Sequence, residues 1–379
     1  MTLPGLNDTP RAGRVHIAFF GLRNAGKSTL VNSFAGQEIA IVSEVAGTTT
    51  DPVSKAMEIL PLGPCVITDT AGLDDVGELG EMRVRKSFAI LATTDIAVWV
   101  AGDSGDSHDT QEFRMFSAEC NRRGVAVLEY CRGEDVGDFR RRVAAVKVTD
   151  QPRPIVGDLV GSGDAVLLVC PQDASAPKGR LILPQQQVIR ELLEVGAAAI
   201  VCQTGELAHL VAVIGAERIR FAVTDSQAFG AVNRALPREI PLTSFSILFA
   251  RQKGDLKTLC RGAAAIGNLK DGDTVLIAEG CTHRRQCGDI GSVKIPRWLE
   301  RHTGKKLKFA FASGGDFPVD GDAPPKLVIH CGGCMLTRRA VMARLRRCAE
   351  LGVPVVNYGV AIGLMHGIVA NPETCMVER

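Results

Sequence analysis

The chain has 379 residues, 46% of them hydrophobic and 23% charged, with a formal net charge of +2. This excludes a disordered chain, gives room for two or three domains, and excludes a general attraction to nucleic acid or anionic membrane. No apolar stretch is long enough to span a bilayer, and the opening "MTLPGLNDTPRAGRV" lacks the apolar core of a signal peptide. A cytoplasmic location is therefore expected. The 12 Cys should then be thiols, with any clustered ones binding metal rather than forming disulfides.

Short β-branched runs alternate with helical stretches along the chain, the pattern of an α/β protein with parallel sheets covered by helices. Strands are expected at "RVHIAFFG", "CVITDT", "DIAVWVA" and "GVAVLEY" in the first block, residues 1–150. The Pro- and Gly-rich "DQPRPIVGDLVGSGD" reads as a linker. A second block, 165–268, repeats the alternation from "AVLLVC" through "AAAIVC" and "RIRFAVTDS" to "SFSILFA", and a helix follows through "DLKTLCRGAAAIGNL". A third block, 269–379, contains "DGDTVLIAEG", "KLKFAFASGG", "KLVIHC" and "VPVVNYG". The expected architecture is a P-loop domain with a mostly parallel sheet followed by two smaller parallel α/β domains.

"GLRNAGKS" (21–28) fits G-x-x-x-x-G-K-[ST] between a predicted strand and a predicted helix. Gly21 and Gly26 let the backbone turn its N–H groups toward phosphate. Lys27 reaches the β- and γ-phosphates, and Ser28 is placed for Mg²⁺. Asn24, Ala25 and Thr29 complete the candidate phosphate loop. "DTAG" (69–72) ends the strand "CVITDT" and matches D-x-x-G. Asp69 would hold Mg²⁺ through water, and the Gly72 N–H would sense the γ-phosphate. In "AGTTTD" (46–51), Thr49 is the candidate metal-contacting Thr and Thr48 the alternative.

This order and spacing resembles the translation-factor-related GTPases, above all the TrmE–Era–EngA group. The resemblance implies GTP as ligand and a potassium ion held by Asn24, supplying charge that an arginine finger supplies elsewhere. Two departures stand out. Leu73 follows "DTAG" where Ras-like proteins have a water-orienting Gln, so slow hydrolysis is expected. The guanine-reading N-K-x-D is absent, and "CRGED" (131–135) stands after "GVAVLEY". Either Arg132 covers the base while Glu134 or Asp135 accepts from it, or this is an ordinary polar loop. Only 29 residues separate Asp135 from Ala165, which is tight for the rest of a complete GTPase domain.

The third block carries "EGCTHRRQCGDIG" (279–291) and "IHCGGCMLTRR" (329–339). The ligand frame is Cys281-x-His283, then 46 residues, then His330-Cys331-x-x-Cys334. Both halves follow predicted strands, whose carboxyl ends gather at one edge of a parallel sheet. Gly332 and Gly333 keep the turn open, and a helix predicted after Cys334 would favour an anion at its start. A redox pair would need no distant C-x-H. A closed zinc site remains open with Cys281, His283, Cys331 and Cys334. Three thiolates in a Gly-rich setting favour an iron–sulfur cluster, with His283 and His330 as ligands or as groups tuning it.

The frame C-x-H, then H-C-x-x-C, joined to an N-terminal GTPase domain, resembles the HydF family. "APKGRLILPQ", "VTDSQ", "GDTVLIAEGCTHR", "VKIPRWL", "IHCGGC" and "NYGV" also look like that family's sequence. The resemblance implies a scaffold GTPase for maturation of iron–iron hydrogenases, with a dimerisation domain at 165–268 making a homodimer. It implies a 4Fe–4S cluster on Cys281, Cys331 and Cys334, two radical-SAM maturases as partners, and delivery of a two-iron precursor to apo-hydrogenase. Cys287 is a further candidate thiolate for the fourth position, and Asp289 lies just beyond it. A zinc-stabilised regulatory GTPase acting only as a switch is the alternative. The Arg residues at 338, 339, 344, 346 and 347 read most simply as the solvated face of the helix after Cys334.

Overall fold

The structure is a computed structural model that describes residues 11–36, 53–74, 78–102, 110–147, 153–171, 181–280, 289–314, 317–319 and 323–378. The chain forms two compact units, Met1–Gln151 and Pro152–Arg379.

The first unit runs β1 (Val15–Phe20), α1 (Lys27–Ala35), β2 (Val53–Ile59), β3 (Gly63–Asp69), α2 (Glu78–Ile90), β4 (Ile96–Ala101), α3 (Gln111–Arg123), β5 (Ala126–Cys131) and α4 (Val136–Ala144). The sheet order is β2-β3-β1-β4-β5, parallel throughout except for β2, which lies antiparallel to β3. Consecutive residues of β1 feed two separate cores. Ile17 and Phe19 pack with Leu30, Phe34 and Phe139, while Ala18 and Phe20 pack with Trp99 and Phe116. A strand buried on both faces reads as a nearly continuous apolar run, as "VHIAFF" does with His16 its one polar residue. β2 gave no such run, because it is an edge strand whose residues alternate between half-buried and exposed. After β5 the described chain adds only α4 to this unit, and no sixth strand joins the sheet among the described residues.

The second unit begins with β6 (Ala165–Val169), α5 (Leu183–Glu194), β7 (Ala198–Cys202), α6 (Leu207–Ile214), β8 (Ile219–Thr224), α7 (Phe229–Ala235), β9 (Leu242–Ser244), α8 (Phe245–Lys253) and α9 (Leu256–Ala263). It continues with β10 (Thr274–Ala278), α10 (Ile295–Thr303), β11 (Lys308–Ala312), β12 (Leu327–His330), α11 (Arg338–Glu350), β13 (Val355–Asn357) and α12 (Tyr358–Met365). It ends with β14 (Val369–Ala370) and β15 (Val377–Glu378). One sheet has the order β7-β6-β8-β9-β15-β14, and the other is the all-parallel β11-β10-β12-β13. The last two strands thus return to the first sheet, antiparallel, with Val377 opposite Leu242. The Thr243 hydroxyl fastens them by donating to the Cys375 carbonyl at 2.5 Å.

One apolar core spans both sheets of this unit. At its centre lies α8, and here the structure corrects the sequence reading. "SFSILFA" is not a strand. Ser244 ends β9 and caps α8, accepting the Ile247 N–H at 3.2 Å, and Phe245, Ile247, Leu248, Phe249 and Ala250 are all buried. A helix buried all round shows no amphipathic period, so its short apolar run mimics a core strand. The expected linker is likewise tied down at its middle. Ile155 and Val156 are buried, and the Glu191 carboxylate accepts the N–H groups of Ile155, Val156 and Gly157 at 2.7–3.0 Å.

α9 lies flat on β13 because Gly262 presents no side chain there, and a Cβ would overlap the Val355 carbonyl. Gly262→Ala is expected to cost the second unit about 1–3 kcal/mol by forced overpacking. Urea unfolding followed by circular dichroism checks this, and an unchanged midpoint would contradict so close an approach.

Candidate functional site

The loop between β1 and α1 has the backbone its motif requires. Gly21, Asn24 and Gly26 all have positive φ, at 154°, 61° and 88°. At Gly21 a Cβ would meet the Val100 carbonyl oxygen at 2.6 Å, and at Gly72 it would meet the Arg23 amide at 2.9 Å. Both glycines are therefore fixed by close approach of backbone to backbone. Asn tolerates the left-handed region better than most residues, which suits position 24. The Leu73 N–H donates to the Gly21 carbonyl, and the Arg23 N–H donates to Asp74, so the D-x-x-G segment and the phosphate loop are laced together.

Lys27 opens α1, buried, with its ammonium on the carbonyls of Gly21 and Leu22. The Ser28 hydroxyl donates to Asp69 Oδ2 at 2.6 Å, joining the two metal-binding motifs across 41 positions. Asp69 is fully buried, and its Oδ1 has no hydrogen-bond partner among the described residues. Burial pushes its carboxyl above the usual range, opposed by the Ser28 hydrogen bond and the Lys27 charge. A buried carboxylate with one unpartnered oxygen beside a serine hydroxyl fits a hydrated Mg²⁺. Ala25 is buried beneath the loop, and Thr29 is exposed. Thr48 and Thr49 lie outside the described residues.

At the expected base-reading segment, Arg132 is exposed at the turn after β5. Glu134 is paired with Arg142 at 2.5 Å, and Asp135 caps α4 by accepting the Asp138 N–H at 2.9 Å. Both carboxylates thus have partners within the fold.

In the second unit, the parallel register of β10 with β12 sets Ala278 opposite His330. The Cys331 N–H donates to the Ala278 carbonyl at 2.9 Å, which extends the ladder past the strand end. The Cys331 sulfur accepts the Gly280 N–H at 3.0 Å and the Gly333 N–H at 3.4 Å. Gly280 is the residue before Cys281. Residues 281–288, which include Cys281, His283 and Cys287, lie outside the described residues, and the chain resumes at Asp289. Among the described residues no group of three or more His, Cys, Asp or Glu is placed to hold a metal. Cys331 and Cys334 are both half-buried, at a turn where Gly333 takes φ 70°. Soft sulfur donors at a strand end, with backbone N–H groups aimed at one of them, fit a thiolate-bound metal cluster.

His330 does not fit a metal ligand in this geometry. It is 3% exposed, and both ring nitrogens are engaged. Nε2 accepts from Arg344 at 3.1 Å, so Nδ1 carries the proton and donates to the Cys331 carbonyl at 2.7 Å. Asp289 caps the helical turn leading into α10, accepting from the Ser292 N–H and hydroxyl at 2.8 and 2.9 Å.

The basic helix face is also corrected. Arg339 and Arg344 are buried, and Arg344 bridges His330 and the Gly314 carbonyl beneath the Phe317 ring. Arg338 reaches back to the carbonyls of Gln252 and Gly254 at the end of α8. Only Arg346 and Arg347 form an exposed face.

Three neighbours of the cysteine turn are given no role by the sequence reading. The Lys253 ammonium, 5% exposed at the end of α8, donates to the carbonyls of Gly333, Cys334 and Leu336. Burial pulls its pKa down to about 8, against the raising effect of Cys334 and Cys331. The same burial raises the Cys334 thiol, opposed first by Lys253. Glu279 is buried and accepts from the Tyr358 hydroxyl at 3.3 Å, packed so closely that only a glycine fits at 291.

The His330 environment gives the apo protein a definite pH dependence. Burial first, then the Arg344 charge, pushes its pKa down from 6.5 to about 4. The unfolded chain therefore takes up the proton first as pH falls. The second unit should lose about 3 kcal/mol between pH 6.5 and 4 from this residue, and the loss should be complete below its folded value. Urea unfolding at pH 7 and 4.5 measures the slope, and His330→Gln should flatten it. Equal slopes in the two proteins would contradict the assignment.

Comparison with known proteins places these sites in a family. Residues 257–372 match a hydrogen maturase F tetramerization domain, 155–254 a hydrogen maturase F dimerization domain, and 16–129 a 50S ribosome-binding GTPase family. Among curated relatives, the tRNA modification GTPase MnmE of Rhodospirillum rubrum is 33% identical over 216 residues, covering 55% of this chain and 45% of that protein. MnmE of Cereibacter sphaeroides is 41% identical over 90 residues, 24% of this chain and 21% of that one. MnmE of Ruegeria pomeroyi is 51% identical over 88 residues, 23% and 20%. The chain thus spans less than half the length of each of these relatives. A solved structure of Aquifex aeolicus Era matches at 16% identity and a TM-score of 0.27, covering 79% of this chain and 93% of that one, too weak to bear on the fold. The two hydrogen maturase F matches together cover more than half of the chain, downstream of a GTPase domain, and the protein belongs to the hydrogen maturase F (HydF) family.

Proposed function

We propose that this chain is a scaffold GTPase for iron–iron hydrogenase maturation that holds a 4Fe–4S cluster on Cys281, Cys331 and Cys334. The observation that carries this reading is the Gly280 N–H on the Cys331 sulfur, which brings the residue that precedes Cys281 in the sequence to the cysteine turn. The cluster would supply an anchoring iron for the two-iron precursor, which is the cargo. The chain's own residues shape the seat. Gly280 and Gly333 donate to sulfur, His330 and Arg344 fix the Cys331 carbonyl, and α11 starts at the Thr337 cap. Self-association through 165–268 as a homodimer, two radical-SAM maturases and an apo-hydrogenase complete the proposal, with domain bounds 1–150, 165–268 and 269–379. His283, Cys287 and Asp289 remain the chain's candidates for the fourth position.

In the first unit, Lys27 would pair with the β- and γ-phosphates, while Ser28, Thr49 and Asp69 would hold Mg²⁺. The Gly72 N–H would report the γ-phosphate, and Asn24 would hold K⁺. With Leu73 after the D-x-x-G motif, no side chain there orients water, so turnover is slow and K⁺-stimulated. Guanine contact would use Arg132 with Glu134 or Asp135, whose carboxylates also serve Arg142 and the α4 cap.

Two measurements test this reading. GTP hydrolysis should rise in K⁺ over Na⁺ and exceed that of ATP and xanthosine triphosphate. Asn24→Ala should lose the K⁺ response, and Lys27→Ala should lower turnover by on the order of 10²-fold. Turnover indifferent to the cation would remove the potassium role. Metal analysis after anaerobic purification should find iron and labile sulfide. A colourless protein with one zinc per chain would instead favour the regulatory switch.

A further inference from the structure

We propose that Lys253 is a positioning residue for the cysteine site, a buried cation that α8 inserts beneath the turn to shape it and to balance its negative charge. The inference rests on the cluster reading above. Its geometry is specific. An ammonium has three donors, and all three are used on one short segment, at 3.1 Å to Gly333, 2.9 Å to Cys334 and 2.8 Å to Leu336. These bonds pin the carbonyls on either side of Cys334 and leave the Gly333 N–H turned toward the Cys331 sulfur.

The charge has no other evident partner. None of the ion pairs found among the described residues involves Lys253, and the Phe249 ring lies 5.4 Å from the ammonium. A buried cation facing carbonyls alone is costly, and an anion beside it relieves that cost. The anion-forming groups whose charge reaches the Lys253 ammonium are Cys334 and Cys331. Thiolates, and still more a cluster bound by them, supply the missing charge.

The reach of Lys253 also has an architectural consequence. It arises from α8, whose chain follows directly from β9 of the six-stranded sheet, yet it closes a loop of the four-stranded sheet. Arg338 makes the reciprocal tie to the carbonyls of Gln252 and Gly254. Ser246, two turns earlier on α8, is bonded by Asn357 and the Gly359 N–H. The seat is thus built by both halves of the unit.

The test uses full-length wild type with Lys253→Gln, Lys253→Met and Lys253→Arg, reconstituted anaerobically with iron and sulfide, with circular dichroism confirming the fold. Iron and sulfide per chain and the cluster midpoint potential are measured. Gln and Met should hold less cluster and show a lower midpoint potential, because removing a cation disfavours the added electron. Arg, which keeps the charge, should restore the potential toward wild type. A folded Gln variant with wild-type content and potential would overturn the proposal. So would one that loses cluster while its remaining cluster keeps the wild-type potential, since that is a merely structural role. Failure of the wild type itself to take up iron and sulfide would instead sink the cluster reading on which this rests.

Discussion

Residues 280 and 331 lie 51 positions apart, and the parallel register of β10 with β12 is what makes them neighbours. Ala278 faces His330, the ladder runs one bond further to the Cys331 N–H, and the Cys331 sulfur then meets the Gly280 N–H. A shift of one residue would turn the end of β12 to the other face of the sheet and dissolve this meeting. The register is secured by burial on both faces, since Val275 to Ala278 and Leu327 to His330 are all buried.

Around that junction the protein places polar groups where an apolar core would otherwise be cheaper. His330 with Arg344, Lys253 with three carbonyls, and Glu279 with Tyr358 are all buried within or beside the turn. The first two satisfy backbone carbonyls that the irregular chain after a strand leaves open, and the third pairs two buried side chains. Their signs differ, and of these Lys253 bonds the cysteine turn directly. The phosphate loop of the first unit follows another logic, with neutral backbone groups and one lysine at a helix start, and a carboxylate held beside a serine for a metal.

Much of the fold was legible in the sequence because strands of parallel sheets advertise themselves. "VHIAFF", "CVITD" and "TVLIA" are mostly apolar runs between turn residues, and each lies in a strand. The phosphate loop and D-x-x-G were legible because only glycine fits at 21 and 72. The edge strand β2 was missed because edge residues face water, and α8 was misread because a helix buried on all sides loses its period. Lys253 was invisible for a different reason. A lysine at the end of an apolar segment looks like a solvated terminus, and only the tertiary fold brings it beneath Cys334. The arginines of α11 were misjudged likewise, since their partners lie on α8, at His330 and at Gly314. The segment holding Cys281, His283 and Cys287 remains a sequence expectation, because it lies outside the described residues.

The central claim is that two strand ends unite Cys281 with Cys331 and Cys334 in one cluster seat. The most direct test is the EPR spectrum of the reduced, anaerobically reconstituted protein beside those of Cys281→Ala and Cys331→Ala. The account predicts a 4Fe–4S signal in the wild type that either substitution removes or converts to another cluster type. A wild-type signal that persists unchanged in Cys281→Ala would contradict it.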